Sequence, residues 1–535
     1  MQRRSSPRIL RSPARTRNNP ARAEAGGRNG SLSLTVIFLF FLFSGLGLGL
    51  VMLSDEFGRM AVSRRDALRL ECAAENGVKD ALAGMTATTT TIAASVSNER
   101  LESLRANAAA GGILAAEEAM RITFPFLTEG ASGSLAWSAT AACGLNRWRD
   151  EGAYGRAEYL VAIDARGRLA GWRPEATAGL DLSLDILSGR PPLAYLPFLL
   201  AGTEANETAA LLLAEGRIQF AAGGRRRLSP HGLVSPRPLI PGDASPLLAE
   251  AMKIGMLEPG GIRLALLRQA LGLPPVNEPV PDGVYLIRND SGPGGVFVQG
   301  DLDRLLLAIE GGRQIIGFES PAGAWKLAFT PGLGPTEFLT PEGLRQDDHP
   351  PLGIVFVNGA VGSLSAATVD SSGALVAAEE AGIPCLRDGQ SLTIVSTDEL
   401  VIDSDLLHEG VRWADTIPYL KDRQSQLVVY AGSRDVLDGT DTRGAIRIGA
   451  DAPSEVRIQA SLAAAGSLAV EGAAKKVVVS GGLQAASLRL GDNRLTIAPD
   501  ERIADGRMTP CCGPLAAEPV LLVLGLRPQA WREGK

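Results

Sequence analysis

The alternation of apolar and polar positions divides the chain into stretches of different period. Residues 32–53 read LSLTVIFLFFLFSGLGLGLVML, and no charged residue occurs from 29 to 54. As a helix those residues rise roughly 33 Å, enough to cross the ~30 Å hydrocarbon core of a bilayer. The span is longer than the apolar region of a cleaved secretory signal, about 7–15 residues, so it predicts a membrane anchor at 31–54. Beyond it, Met60, Ala67, Leu70, Ala74, Val78 and Leu82 recur at spacings of seven, three and four, one apolar stripe on a helix continuing past the span. Gly84 and the Thr-rich run 86–91 are expected to break that helix. A second amphipathic stretch from about 98 to 120 would complete a helical stalk over 55–122.

Residues 123–281 are mixed. A strand is expected at 159–163, closed by a turn at 164–167, with further short elements at 182–187, 211–213 and 217–221 and helices at 247–256 and 263–271. Prolines punctuate the region, and 274–281 reads as a linker. From 282 to 508 the period becomes two. Short apolar alternations sit between Gly, Asp and Ser turns, at 284–287, 296–298, 314–316, 354–357, 392–395, 400–402, 427–430, 446–448, 456–458, 468–470, 477–479, 488–490 and 495–497. The last five begin 12, 9, 11 and 7 residues apart. That spacing predicts a β-solenoid or stacked meander and excludes helical repeats. VFVQGDLDRLLLA at 296–308 also aligns without gaps to VFVNGAVGSLSAA at 355–367, one strand-turn-strand unit used twice. The expected class is α+β, ending in a tail at 509–535.

Charge adds a direction. The chain carries −6 overall but +7 over residues 1–30, leaving −13 for the rest, which excludes a uniformly basic nucleic-acid binder. Eight arginines precede the span while Asp55 and Glu56 follow it, so the positive-inside rule puts the N-terminal leader in the cytoplasm and the remainder outside it. Within the span, Gly45 and Gly49 have the small-xxx-small spacing that lets membrane helices approach closely; glycine is also common in such helices.

Gly30 directly before the hydrophobic span, followed by CAAENGVKDAL at 72–82, resembles the N-terminal region of PilX-like minor pilins and type IV pilus-assembly proteins. The matched positions are Ala73, Ala74, Glu75, Gly77, Ala81 and Leu82. The resemblance implies cleavage by a prepilin peptidase between Gly30 and Ser31. It also implies packing among other pilin-like subunits and a bacterial inner-membrane location, with the ectodomain periplasmic or on a surface filament. Thr35 stands where major pilins carry a glutamate, which argues against a major pilin.

Catalytic chemistry is sparse. No nucleophile elbow, zinc-protease helix, P-loop or dinucleotide fingerprint is present. The three histidines are His231, His349 and His408, of which the first two are expected in exposed loops. Asp403, Asp405 and Glu409, and Asp435, Asp438 and Asp441, would suit either Ca²⁺ or polar turns; no metal or cofactor is assigned. The five cysteines are Cys72, Cys143, Cys385, Cys511 and Cys512, an odd number without a CxxC pair. Cys511 and Cys512 would bridge each other or pair with Cys143 and Cys385, leaving Cys72 as a small apolar residue on the stalk. These features predict a non-enzymatic, membrane-anchored, pilin-like structural protein. The alternatives are a stationary envelope scaffold or adhesin, a bactofilin-like polymer and, least favoured, an extracytoplasmic hydrolase.

Overall fold

The computed structural model describes residues 31–92, 127–151, 154–171, 174–190, 192–195, 198–201, 212, 215–221, 233–235, 240–252, 264–289, 292–378, 380–414, 417–420, 424–504, 508, 513–517 and 520–533. Gly30, the expected stalk helix near 98–120, His231, Cys511 and Cys512 lie outside them. The chain forms two compact units, residues 1–69 and 70–535.

Helix α1 (Ser31–Ile92), of which residues up to 69 belong to the first unit, starts at the expected serine and in that unit presents apolar side chains on every side: Phe38, Phe40, Phe41, Phe43, Val51 and Met52 are all exposed. It is long and apolar enough to cross a membrane. The helix carries on through Gly84 and the threonines at 86–91 to Ile92, which corrects the expected break. A mid-helix Gly costs only about 1 kcal/mol and a Thr less, so neither is by itself enough to end a long helix.

The second unit contains the C-terminal part of α1, a five-stranded antiparallel sheet and a set of stacked parallel ladders. The sheet runs β1 (Leu127–Ser132), β2 (Leu135–Asp150), β3 (Tyr154–Leu169), β4 (Ala176–Gly189) and then the C-terminal strand Val520–Glu533. Strand β3 alternates from Ala157 to Arg168. Tyr159, Val161, Ile163 and Ala165 are buried, while Leu160, Asp164 and Arg166 are exposed. The turn expected at 164–167 is therefore strand, and Gly167 has another task, described below. The expected tail supplies an edge strand. Its pairing to β4 shifts between Val523 and Gly525 and between Pro528 and Ala530, irregularities that with Pro528 blunt an edge against further pairing.

Three ladders of mostly parallel strands share one aliphatic core. The first joins Gly292–Gln299, Ile354–Asn358, Ser391–Ser396, Gln426–Ala431, residues 461–464 and residues 483–485. Along it Val296, Val355, Ile394, Val429, Leu462 and Leu483 are in register and buried, so each pass of the chain lays an aliphatic side chain on the last. The second ladder joins Arg304–Glu310, Val361–Val369, Leu400–Ile402, Ile446–Ile448 and the C-terminal halves of Ser461–Val470 and Leu483–Arg489. The third runs Pro384–Leu386, Leu407–His408, Glu455–Ile458, Lys476–Ser480 and Arg494–Ala498. The gapless sequence repeat coincides with the pairing register: Val296 faces Val355, Leu302 faces Val361 and Leu305 faces Leu364.

The alternate residues of the first ladder point away from that core. Phe297, Phe356, Val395 and Tyr430 are covered by α2 (Ser245–Met252), α3 (Leu264–Ala270) and their flanks. The stack ends differently at its two ends. At one, antiparallel strands Gly283–Asn289 and Arg313–Ser320 interrupt the parallel pattern. At the other, segments from the mixed region return: Phe198–Ala201 pairs with residues 483–485, Leu233–Ser235 with Phe198–Ala201, and Ile218–Phe220 with Arg494–Ala498. The stacking thus reaches across the expected boundary at 281.

Candidate functional site

The residues singled out on α1 divide by position. Ala73 and Ala74 have no solvent exposure, and Leu70, Val78 and Ala81 are buried beside them. They lie against the sheet through two glycines. A β-carbon built on Gly167 of β3 would stand 2.4 Å from the Leu70 carbonyl oxygen and 2.9 Å from the Ala73 β-carbon. One built on Gly77 would meet the Ala165 β-carbon at 3.0 Å. Helix and strand are therefore in backbone contact, which only side chains of a methyl or less permit. Dispersion energy falls steeply with separation, so close approach replaces bulk as the source of contact. The Trp137 indole N–H donates to Asp80 at 2.7 Å, a polar clasp at the contact's rim. Glu75 takes no part; it remains half-exposed and pairs with Lys79 on its own helix at 3.6 Å. A methyl added to Gly45 or Gly49 would meet nothing within 4 Å, so among the described residues this stretch of the helix has no partner. Ser31 opens the helix.

Of the acidic groups that would suit Ca²⁺, Asp435 and Asp438 serve as turn acceptors and Asp405 accepts between distant segments. One Asp435 carboxylate oxygen accepts from the backbone N–H groups of Leu437 and Asp438, and Asp438 caps Thr440 at 2.8 Å. Asp405 accepts from the N–H groups of Gly382 and Arg457. Hydrogen bonds from Thr440 hold the Asp438 carboxyl below the usual carboxylate range. Among the described residues, no group of three or more His, Cys, Asp or Glu is placed to hold a metal. Cys385 is a free thiol buried in the ladder core, its pKa pushed up to about 12 by burial, which removes the alternative in which it pairs with Cys511 or Cys512. Cys72 is free and exposed on α1 rather than packed.

A buried polar cluster around His408 is not marked by any sequence motif. His349 is an exposed loop residue as expected, but His408 ends a strand of the third ladder at 4% exposure. Its backbone N–H donates to the Gln459 side-chain oxygen at 2.6 Å. Burial, with the Arg502 charge nearby, lowers the imidazole from its ordinary value to about 4, so it is neutral near pH 7. Arg502 and Asp500, both buried, pair at 2.6 Å, and Arg502 also donates to the Ser425 carbonyl at 2.9 Å. The one available signal is the apolar run Leu406–Leu407 immediately before the histidine, which marks strand and burial. The chain matches no family model, no curated protein and no solved structure.

Proposed function

We propose that this chain is a non-enzymatic, single-pass membrane protein of pilin-like or pilus-assembly type. In this reading its stacked ladders form a β-solenoid that presents an interaction surface outside the cytoplasm. The observation that carries it is the build of α1. An apolar half able to cross a membrane continues, without a break, into a stripe of Ala73, Ala74 and Gly77 seated on an antiparallel sheet. A helix of that design holds a folded domain to a membrane and leaves its apolar half, with Gly45 and Gly49, free for other helices. Three ladders stacked in register on one shared aliphatic core support the solenoid. The interrupted pattern at one end and the returning strands at the other speak against a bactofilin-like end-to-end polymer. In this reading the arginine-rich leader stays in the cytoplasm of a bacterial cell, and other pilin-like subunits are the partners.

Mapping the mature N-terminus by mass spectrometry tests the proposal. Cleavage between Gly30 and Ser31, abolished by Gly30→Leu, is expected; an intact leader argues against pilin-type processing. Thr35, in place of the glutamate of major pilins, argues against a major pilin; the second reading is a stationary envelope scaffold or adhesin in which the helix is only an anchor. Shearing filaments from cells separates the two: recovery of the chain only with the membrane supports the scaffold.

A further inference from the structure

Where the third ladder turns back to the first, the corners of successive passes bring His408, Gln459 and Ser480 into one column. The Asp500–Arg502 pair lies beyond them. These side chains line a small cavity with room for about one water. His408 is 4% exposed, and neither imidazole nitrogen has a hydrogen-bond partner among the described residues. Gln459, 1% exposed, uses its carbonyl oxygen for the His408 N–H, while its amide nitrogen has no acceptor among them. The Ser480 hydroxyl, 4% exposed, is likewise unmatched there.

A neutral imidazole offers one donor and one acceptor, an amide nitrogen offers two donors, and a hydroxyl offers both. Buried groups of this kind are satisfied in folded proteins, because each left alone bears its full desolvation cost. The occupant must therefore be small, uncharged and able to donate and accept. An anion would need a cation beyond Arg502, whose guanidinium faces Asp500. A metal would need further ligands.

We propose that this corner is a water-binding site. At least one internal water accepts from the Gln459 amide and bonds to the His408 ring and the Ser480 hydroxyl, tying together three passes whose strands do not otherwise link these side chains. The proposal does not depend on the pilin-like reading.

The chain has three histidines, so ¹⁵N-histidine labelling of the full-length protein in detergent yields three sets of imidazole signals, one per ring. Substituting His231 and His349 in turn assigns the third by elimination. A magnetisation-transfer cross-peak between the His408 ring N–H and long-lived water is expected, and Ser480→Val, which places methyl groups in the cavity, should abolish it. Should Ser480→Val fail to fold, a high-resolution crystal structure of the unsubstituted protein decides: solvent density within hydrogen-bond distance of His408 and Gln459 supports the site. A ring N–H without that cross-peak, or density showing Gln459 or Ser480 turned to bond His408 directly, overturns it.

Discussion

Two interfaces in the same compact unit are built on opposite principles. Where α1 meets β3, the chain uses alanine and glycine, and backbones approach until a single added methyl at Gly167 would collide with the Leu70 carbonyl. Inside the ladders it uses valine, leucine and isoleucine in register, so that each pass covers the aliphatic side chains of the one before. The first interface gains its contact from distance and the second from buried area. The two should therefore fail in opposite ways, the ladder core when a side chain shrinks and the helix contact when one grows.

The largest effect is expected from Ile394→Ala, which opens a cavity in the middle of the first ladder and should cost about 2–5 kcal/mol, read as a lower denaturant midpoint. A loss under about 1 kcal/mol would show that the passes are not tightly stacked. Next comes pH. His408 takes up a proton near 6.5 when unfolded but only near 4 when folded, so between those values the unfolded chain holds more protons and stability falls as pH falls. The loss on going from pH 7 to pH 4 is of order 3 kcal/mol, and His408→Gln should remove that part of it. Equal pH slopes for the two proteins would place the imidazole in contact with solvent.

Gly167→Ala adds one methyl to the helix contact and should cost about 1–3 kcal/mol by overpacking, whereas a large-to-small change would do little there. If it is silent in thermal unfolding, the helix and strand are not in backbone contact. Smallest is Arg443→Ala, at the surface end of a pair with Glu399 and Asp398 that is well exposed on the arginine side. That loss should lie within about 1 kcal/mol and shrink further in high salt.

Much of this contrast is legible residue by residue. The span at 32–53 stands out because an uncharged apolar run has one physical use at that length, and the short β-alternations from 282 onward reappear as strands. The repeat at 296–308 and 355–367 is informative because identical spacing is what parallel register demands. Glycine misleads in two directions. Gly84 reads as a helix breaker and lies inside α1; Gly167 reads as a turn and lies inside β3. The misreading of Gly167 comes from treating glycine as a backbone signal when its value there includes the absence of a side chain. His408 escapes notice because nothing local distinguishes a histidine at a strand's end in water from one in a closed corner.

Side-chain spacing along single segments was enough to determine the apolar helix and the short β-alternations from 282 onward, while the close small-residue contact at 73–77 came from the fold. Tertiary structure alone decided that Phe198–Ala201, Ile218–Phe220 and Leu233–Ser235 return to extend the ladders and that the last strand joins the first sheet. It also decided that a histidine, a glutamine and a serine from three separate passes close on one cavity. Those outcomes depend on which distant segments bury one another, and that is set by the free energy of the whole fold rather than by any local period.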